Sequence, residues 1–151
     1  MKGSYENQTV IITGASSGVG EGVAHHFAAN GANLVLVARN KEKLYDVVSE
    51  MKQYGGGYHS INIDLRSKKG PSQLIKELGL KNFIPDIVIH NLGGSLQITS
   101  QDFSREEFAD VWQFNIGIAH EINKELIPNM IQNKWGRIIH VSSLAAKTAK
   151  G

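Results

Sequence analysis

The chain has 151 residues, 41% hydrophobic and 20% charged, enough to bury the core of one domain. A net charge of +2 from scattered Lys and Arg argues against a nucleic-acid surface, and the absence of Cys removes disulfides, thiolate metal sites and a cysteine nucleophile. The opening segment MKGSYENQTVIITG has no apolar stretch suited to a secretory signal, and no segment nears the roughly 20 apolar residues that span a bilayer, so a cytoplasmic protein with no membrane or nucleic-acid partner is expected.

Strand-like and helix-like segments alternate along the chain. The β-branched run TVIITG (9–14) predicts a first strand ending in Gly. A helix is predicted over about 18–30, with Val19, Val23 and Phe27 on one stripe and Asn30-Gly31 as its stop. NLVLVAR (33–39) predicts the second strand. Leu44, Val47, Val48 and Met51 then follow the i, i+3, i+4, i+7 spacing of an amphipathic helix, broken by Gly55-Gly56-Gly57. YHSINIDL (58–65) is a weaker third strand, and Pro71 to Leu78 reads as a short helix. PDIVIHN (85–91) predicts a fourth strand, followed by a Gly93-Gly94 loop. Ser104 and Glu107 have capping-box spacing for a helix running through Trp112. A further helix over about 118–133 contains Pro128, which should kink it. GRIIHVS (136–142) is the fifth strand.

The pattern is β-α-β-α-β-α-β-α-β. Several strands are apolar on both faces, as a parallel sheet covered by helices requires. Right-handed crossovers favour an α/β, doubly wound parallel sheet of Rossmann type, forming one domain over 1–151.

The stretch TGASSGVG (13–20) falls where the first strand meets the first helix. Gly14 permits the tight turn, Gly18 lets backbone approach a pyrophosphate, and Gly20 lets helix pack on sheet. The helix start offers N–H groups to phosphate, and Ser16 and Ser17 add hydroxyl donors or caps. A tight turn with no ligand is the plainer alternative; placement after the first strand favours a nucleotide.

The spacing Gly-x-x-x-Gly-x-Gly resembles the cofactor motif of the short-chain dehydrogenase/reductase family. Four further stretches agree in order: Asp64-Leu65 after the third strand, HNLGG (90–94), Asn115 in WQFNIGIA, and GRIIHVSS (136–143). The resemblance covers essentially the whole chain. It implies a Rossmann fold, incomplete at its C-terminus, cut from a parent of roughly 230–260 residues. It implies cofactor contacts from Gly14, Ser16, Ser17, Gly18, Val19 and Gly20, from the adenine-side pair Asp64 and Leu65, and from Asn91 and Gly93. It implies catalytic roles for Ser143 and Asn115.

Arg39 ends the second strand, where the adenosine ribose is read. An acid there suits the 2′-hydroxyl of NAD, whereas Arg suits the 2′-phosphate of NADP, so NADP(H) is favoured over NAD(H). A solvated Arg at a strand end is the alternative. Asn91 should support the turn beside the ribose. His90 and Leu92 depart from the family's Asn-Asn-Ala-Gly; a local variation is preferred over His90 as a base. His25 and His26 are adjacent on a helix and face different directions, so no metal site is expected. Asn115, read as lying on or beside a packed helix face, either satisfies backbone groups or, as the resemblance implies, holds a water in a proton relay; the two are compatible.

A hydride moving between nicotinamide and a carbonyl carbon requires a proton at the oxygen. A Ser hydroxyl can orient that oxygen but is a poor acid and base near neutrality, so a second group must move the proton. In the resembled family a Tyr in a Tyr-x-x-x-Lys helix does so, about thirteen residues after the Ser and so beyond Gly151. Tyr5, Tyr45, Tyr54 and Tyr58 lie far upstream. Lys147 and Lys150 read as solvated loop lysines.

The expected function is therefore an NADP(H)-dependent oxidoreductase interconverting a carbonyl and an alcohol in the intact parent, with the fragment inactive alone. A non-catalytic dinucleotide-binding or sensor module is the alternative, and a Rossmann methyltransferase is disfavoured by Arg39. The substrate is a small carbonyl or alcohol compound. HNLGG also resembles members associated with bacterial surface-sugar biosynthesis, and 3-oxoacyl, sugar and steroid substrates stay open. Ile118, Ile122, Leu126 and Met130, with Ile127 and Ile131 beside them, make a stripe wider than one sheet face needs. In the resembled family this helix builds a dimer interface, so a homo-dimer or tetramer through 118–131 is expected.

Overall fold

The computed structural model describes residues 4–98, 102–144 and 147. Five parallel strands form one sheet, β1 (Thr9–Thr13), β2 (Asn33–Ala38), β3 (Tyr58–Asn62), β4 (Ile87–His90) and β5 (Arg137–His140), in the order β3-β2-β1-β4-β5. The chain runs outward from β1 through β2 to β3, then returns to the other side of β1 for β4 and β5. The order therefore reverses between β1 and β4, and their C-terminal ends open a crevice.

The residues of the central strands explain their position. β1, β2 and β4 are β-branched or aliphatic at nearly every position and buried on both faces. β3 instead alternates, with His59, Ser60 and Asn62 exposed and Ile61 buried, and it takes the sheet edge. The pleat sorts the side chains into two cores. Val10, Ile12, Leu34, Leu36, Ile87 and Ile89 face helices α1 (Gly18–Ala29) and α2 (Lys41–Met51), which contribute Ala24, Phe27, Ala28, Leu44, Val47 and Met51. Ile11, Val35, Val37 and Val88 face α3 (Gly70–Leu80) and α5 (Ile118–Gln132), through Leu74, Leu78, Ile118, Ile122, Leu126 and Met130.

Local signals set the helix ends. Asn40 accepts from the Lys43 N–H at 3.0 Å and starts α2; Pro71 sits in the first turn of α3, where its missing N–H costs nothing. The capping box of α4 (Arg105–Trp112) forms in both directions: the Ser104 hydroxyl accepts from Glu107 N–H at 3.1 Å, and the Glu107 carboxylate accepts from Ser104 N–H at 2.7 Å. α5 runs unbroken through Pro128.

Three expectations change. Val19 is 60% exposed at the start of α1, so it lies off the packed stripe that Val23 and Phe27 continue. Between α4 and α5 the backbone makes a π turn over Gln113–Gly117, which helical periodicity alone does not reveal. Finally, the four-residue steps Ile118, Ile122, Leu126 and Met130 are not surplus surface: all are buried against the sheet, leaving Ile127 and Ile131 outside. No helix among the described residues is long and apolar enough to cross a membrane.

Candidate active site

The crevice is laced shut at its base. Gly14 turns the chain off β1 with φ +67°, and the N–H groups of Gly14 and Ala15 both donate to the Val37 carbonyl, at 2.9 and 3.3 Å. The Asn91 N–H donates to Thr13 Oγ1 at 3.1 Å, and that hydroxyl donates onward to the Ile89 carbonyl at 3.4 Å. The Asn91 amide donates to the Gly14 carbonyl at 3.2 Å. Asn91 thus ties the glycine turn to the end of β4.

Gly20 packs under the turn, where an added Cβ would collide with the Gly14 carbonyl oxygen and lie 2.6 Å from Asn91 Nδ2. Gly18 has φ +58° and open space around its Cα. Ser17 takes the N-cap position of α1 but makes no side-chain cap bond. The turn is a shallow backbone cradle, as a phosphate at a helix start requires.

Above it lies a cleft of about 270 Å³. Of the residues expected to contact a cofactor, Gly14, Ser16, Ser17, Arg39, Asp64, Leu65, Asn91 and Gly93 line it, and Gly18, Val19 and Gly20 stand outside that lining. Leu65 is also buried in the α3–α5 core, so one residue anchors the cleft floor to the fold. The Asp64 carboxylate accepts from the Arg66 N–H at 2.9 Å, which turns the chain and sets both side chains at the rim. Arg66 and Phe114 line the cleft too, and neither was singled out from sequence. Position was the available signal for Arg66, two residues beyond the Asp at the end of a strand; in the run Arg66-Ser67-Lys68-Lys69 it looks like one more solvated cation.

A second cleft continues past Asn91 and Gly93 and is lined by Asn115, His140, Ser142 and Ser143. Asn115 sits in the π turn and is exposed, contrary to the packed position expected of it. Its amide is nevertheless saturated. Nδ2 donates to the carbonyls of Gly94 and Val111, both at 2.8 Å, and Oδ1 accepts from Gly94 N–H at 2.9 Å. These bonds clamp the Gly93-Gly94 loop to the helix, and Gly93 has no room for a Cβ, which would lie 2.7 Å from Asn115 Oδ1.

His90 belongs to neither lining. It is buried on β4 facing α5, where its Nε2–H donates to Asn123 Oδ1 at 2.7 Å, and it stacks on His140, its register partner, with centroids 4.8 Å apart. Burial pushes its pKa down, the Asn123 bond opposes this, and His140 adds to the lowering. None of the four tyrosines lines either cleft. Tyr5 packs on Phe27, and the Tyr58 hydroxyl accepts from Gly56 N–H. Lys147 N–H donates to the Leu144 carbonyl; Lys150 lies outside the described residues. His25 and His26 diverge as expected, but His25 comes 3.4 Å from the Glu50 carboxylate, and Glu21 is close enough that the ligand atoms of all three lie within 4.8 Å. With Glu50 61% exposed, the His25–Glu50 contact is an ordinary surface pair.

An open parallel sheet with a glycine turn at its switch point and a cleft above it defines a dinucleotide-binding α/β domain. The chain belongs to the short-chain dehydrogenase family, whose profile matches residues 8–150. Fatty acyl-CoA reductase of Acinetobacter baylyi is 34% identical over 143 residues, covering 93% of this chain and 48% of that protein. L-Sorbose reductase of Gluconobacter frateurii, solved with NADPH and L-sorbose, superposes with a TM-score of 0.87 at 26% identity, over 97% of this chain and 56% of that one. 7α-Hydroxysteroid dehydrogenase, solved with NADH and 7-oxo glycochenodeoxycholic acid, gives a TM-score of 0.87 at 28% identity, over 96% and 56%. The chain spans about half the length of the curated relatives it matches.

Proposed function

We propose that the chain forms the cofactor-binding part of an NADP(H)-dependent oxidoreductase that interconverts a small carbonyl compound and its alcohol. The observation that carries this is one continuous crevice, with the glycine turn, Arg39 and Asp64 around its first cleft and Asn115 and Ser143 around its second. The turn is tight at Gly14 and open at Gly18, which leaves backbone accessible to a pyrophosphate, and Gly20 beneath it cannot carry a Cβ. Bound there, the nicotinamide cofactor would supply hydride chemistry.

The chain's own residues then have separate tasks. The backbone around Gly14 to Gly20 and the hydroxyls of Ser16 and Ser17 hold the pyrophosphate. Asp64 and Leu65 bound the adenine. Arg39 reads the ribose 2′-phosphate. Ser143 hydrogen-bonds the reacting oxygen and orients it. Asn115 fixes the loop at Gly93-Gly94 that shapes the crevice between cofactor and substrate. None of these groups transfers a proton readily near neutrality, so this chain alone should not turn over. NADPH oxidation assayed with a panel of ketones and aldehydes tests that: no turnover is expected, and clear turnover by the pure chain would contradict the division of labour.

Self-association belongs to the same reading. Ile127 and Ile131 stand 37% and 70% exposed on the outer face of α5, and Phe108 and Trp112 on α4 and Ile116 in the π turn add exposed apolar surface. A homo-dimer or tetramer that covers this face is the arrangement we favour.

A further inference from the structure

We infer that Arg66 is a second specificity-determining cation, which acts with Arg39 on the ribose 2′-phosphate. This rests on the dinucleotide reading above and adds a residue and a subsite to it. β2 and β3 are parallel neighbours, with Ala38 opposite Asn62, so the chain leaves both strands at the same end of the sheet. Asn62 Nδ2 and the Ile63 N–H both donate to the Ala38 carbonyl, at 3.0 and 3.1 Å, and tie these two exits together. Arg39 leaves from the first and Arg66 from the second. Both line the nucleotide cleft, and both also line the adjoining cavity reached past Ser67 and Asp110.

Arg66 is aimed rather than merely nearby. Its N–H bond to Asp64 Oδ1 fixes the turn that carries it. Its guanidinium carbon lies 5.5 Å from the centroid of the Phe114 ring, and Phe114 itself walls both cavities. A cation over a ring face is held without using its N–H donors, which stay available to hydrogen-bond outward. Neither arginine forms an ion pair among the described residues. A phosphate monoester carries about −1.5 to −2 charge near neutrality. One guanidinium neutralises roughly half of that, and two cations lining the same cleft match it. A ribose bearing only a 2′-hydroxyl gains little from the second cation, so Arg66 discriminates between the cofactors instead of strengthening both.

Calorimetric titration of the 151-residue chain with NADPH and with NADH tests this. Arg66→Gln should weaken NADPH about tenfold and leave NADH within about twofold, as loss of a charge-assisted contact to phosphate predicts. Arg66→Lys, which keeps the charge but loses the fork and the stack, should fall between. If the wild type prefers NADPH and Arg66→Gln keeps that ratio, the Arg66 role is wrong and the dinucleotide reading stands. Equal losses for both cofactors would reduce Arg66 to a wall of the cleft and also overturn the inference. A wild-type chain that binds neither cofactor, or binds both equally, overturns the underlying reading and this inference with it.

Discussion

A methyl group at Gly20 would meet the Gly14 carbonyl and the Asn91 amide together, both of which are held by the β1–β4 lacing and cannot swing away. Gly20→Ala should therefore cost about 1–3 kcal/mol of stability by forcing α1 off the turn, read as a lower urea midpoint. Gly18→Ala meets no atom within 4 Å; its cost of about 1–2 kcal/mol comes only from placing an L-residue at φ +58°. At the ribose end, Arg39→Asp replaces a cation with an anion, and NADPH preference should reverse, with a change of about 10–100-fold in the ratio of Kd values; an unmoved ratio would exclude Arg39 from the site. His90 gives a pH dependence. Its pKa is held below the ordinary 6.5, mainly by burial, with His140 adding to the lowering and Asn123 opposing it. The unfolded chain therefore binds the proton first. Above about pH 7 both states are neutral at this residue and it contributes no slope; as pH falls through 6.5 the folded state is penalised, until His90 itself protonates. Thermal melts should lose stability as pH falls through 6.5, and His90→Asn should flatten that slope. The positions of the glycine turn and of Arg39 at the cleft were legible in sequence because they are tied to strand ends. Arg66 was not, because only the Asp64 turn and the Phe114 face tell it apart from its basic neighbours.

At the scale of elements, α4 and the π turn that follows it are stabilised by different means. α4 has no buried residue and relies on its capping box. Ser104→Ala should speed amide hydrogen exchange in residues 105–108 about fivefold, the effect of losing a cap, with little change elsewhere. Hydrogen bonds from the Ser104 N–H and hydroxyl hold the Glu107 carboxyl below the usual carboxylate range, so the box should persist into mild acid. The π turn after α4 is maintained by Asn115, whose three hydrogen bonds join Val111 to both sides of Gly94. Asn115→Ala removes all three and should raise exchange and ¹⁵N relaxation dispersion in residues 92–96, while the melting temperature moves by only a few degrees. The capping box could be read from Ser104-x-x-Glu107. The π turn could not, since an apolar run reads the same with one residue inserted into the helix; an Asn inside that run was the only hint. β3 came out shorter than the run 58–65 because Ile63 and Asp64 turn away toward the cleft after Asn62.

For the whole molecule, the parallel doubly wound sheet followed from the alternation of elements and from runs that are apolar on both faces. The sequence therefore carried the fold further than it carried the surface. Face assignment on α5 needed the structure: residues at four-residue steps look like a surplus stripe until the sheet is seen to take four of them. What stays outside is Phe108, Trp112, Ile116, Ile127 and Ile131, and at the β5 side Ile139, 45% exposed, on a strand paired only with β4 among the described residues. Burying even a few hundred Å² of such surface yields several kcal/mol at about 25 cal/mol per Å². Light scattering at tens of micromolar should therefore give a mass well above 16.5 kDa, and Ile127→Glu with Ile131→Glu should lower it if the α5 face is responsible. The central claim is that the crevice holds a dinucleotide along a defined path. The most direct test is a ¹⁵N–¹H correlation spectrum of the chain titrated with NADPH. Shifts should concentrate at residues 14–20, 39, 64–66 and 91–94, with those at Arg39 and Arg66 much reduced when NADH replaces NADPH. A spectrum that does not move, or that moves chiefly outside the glycine turn and the ends of β2, β3 and β4, would contradict it.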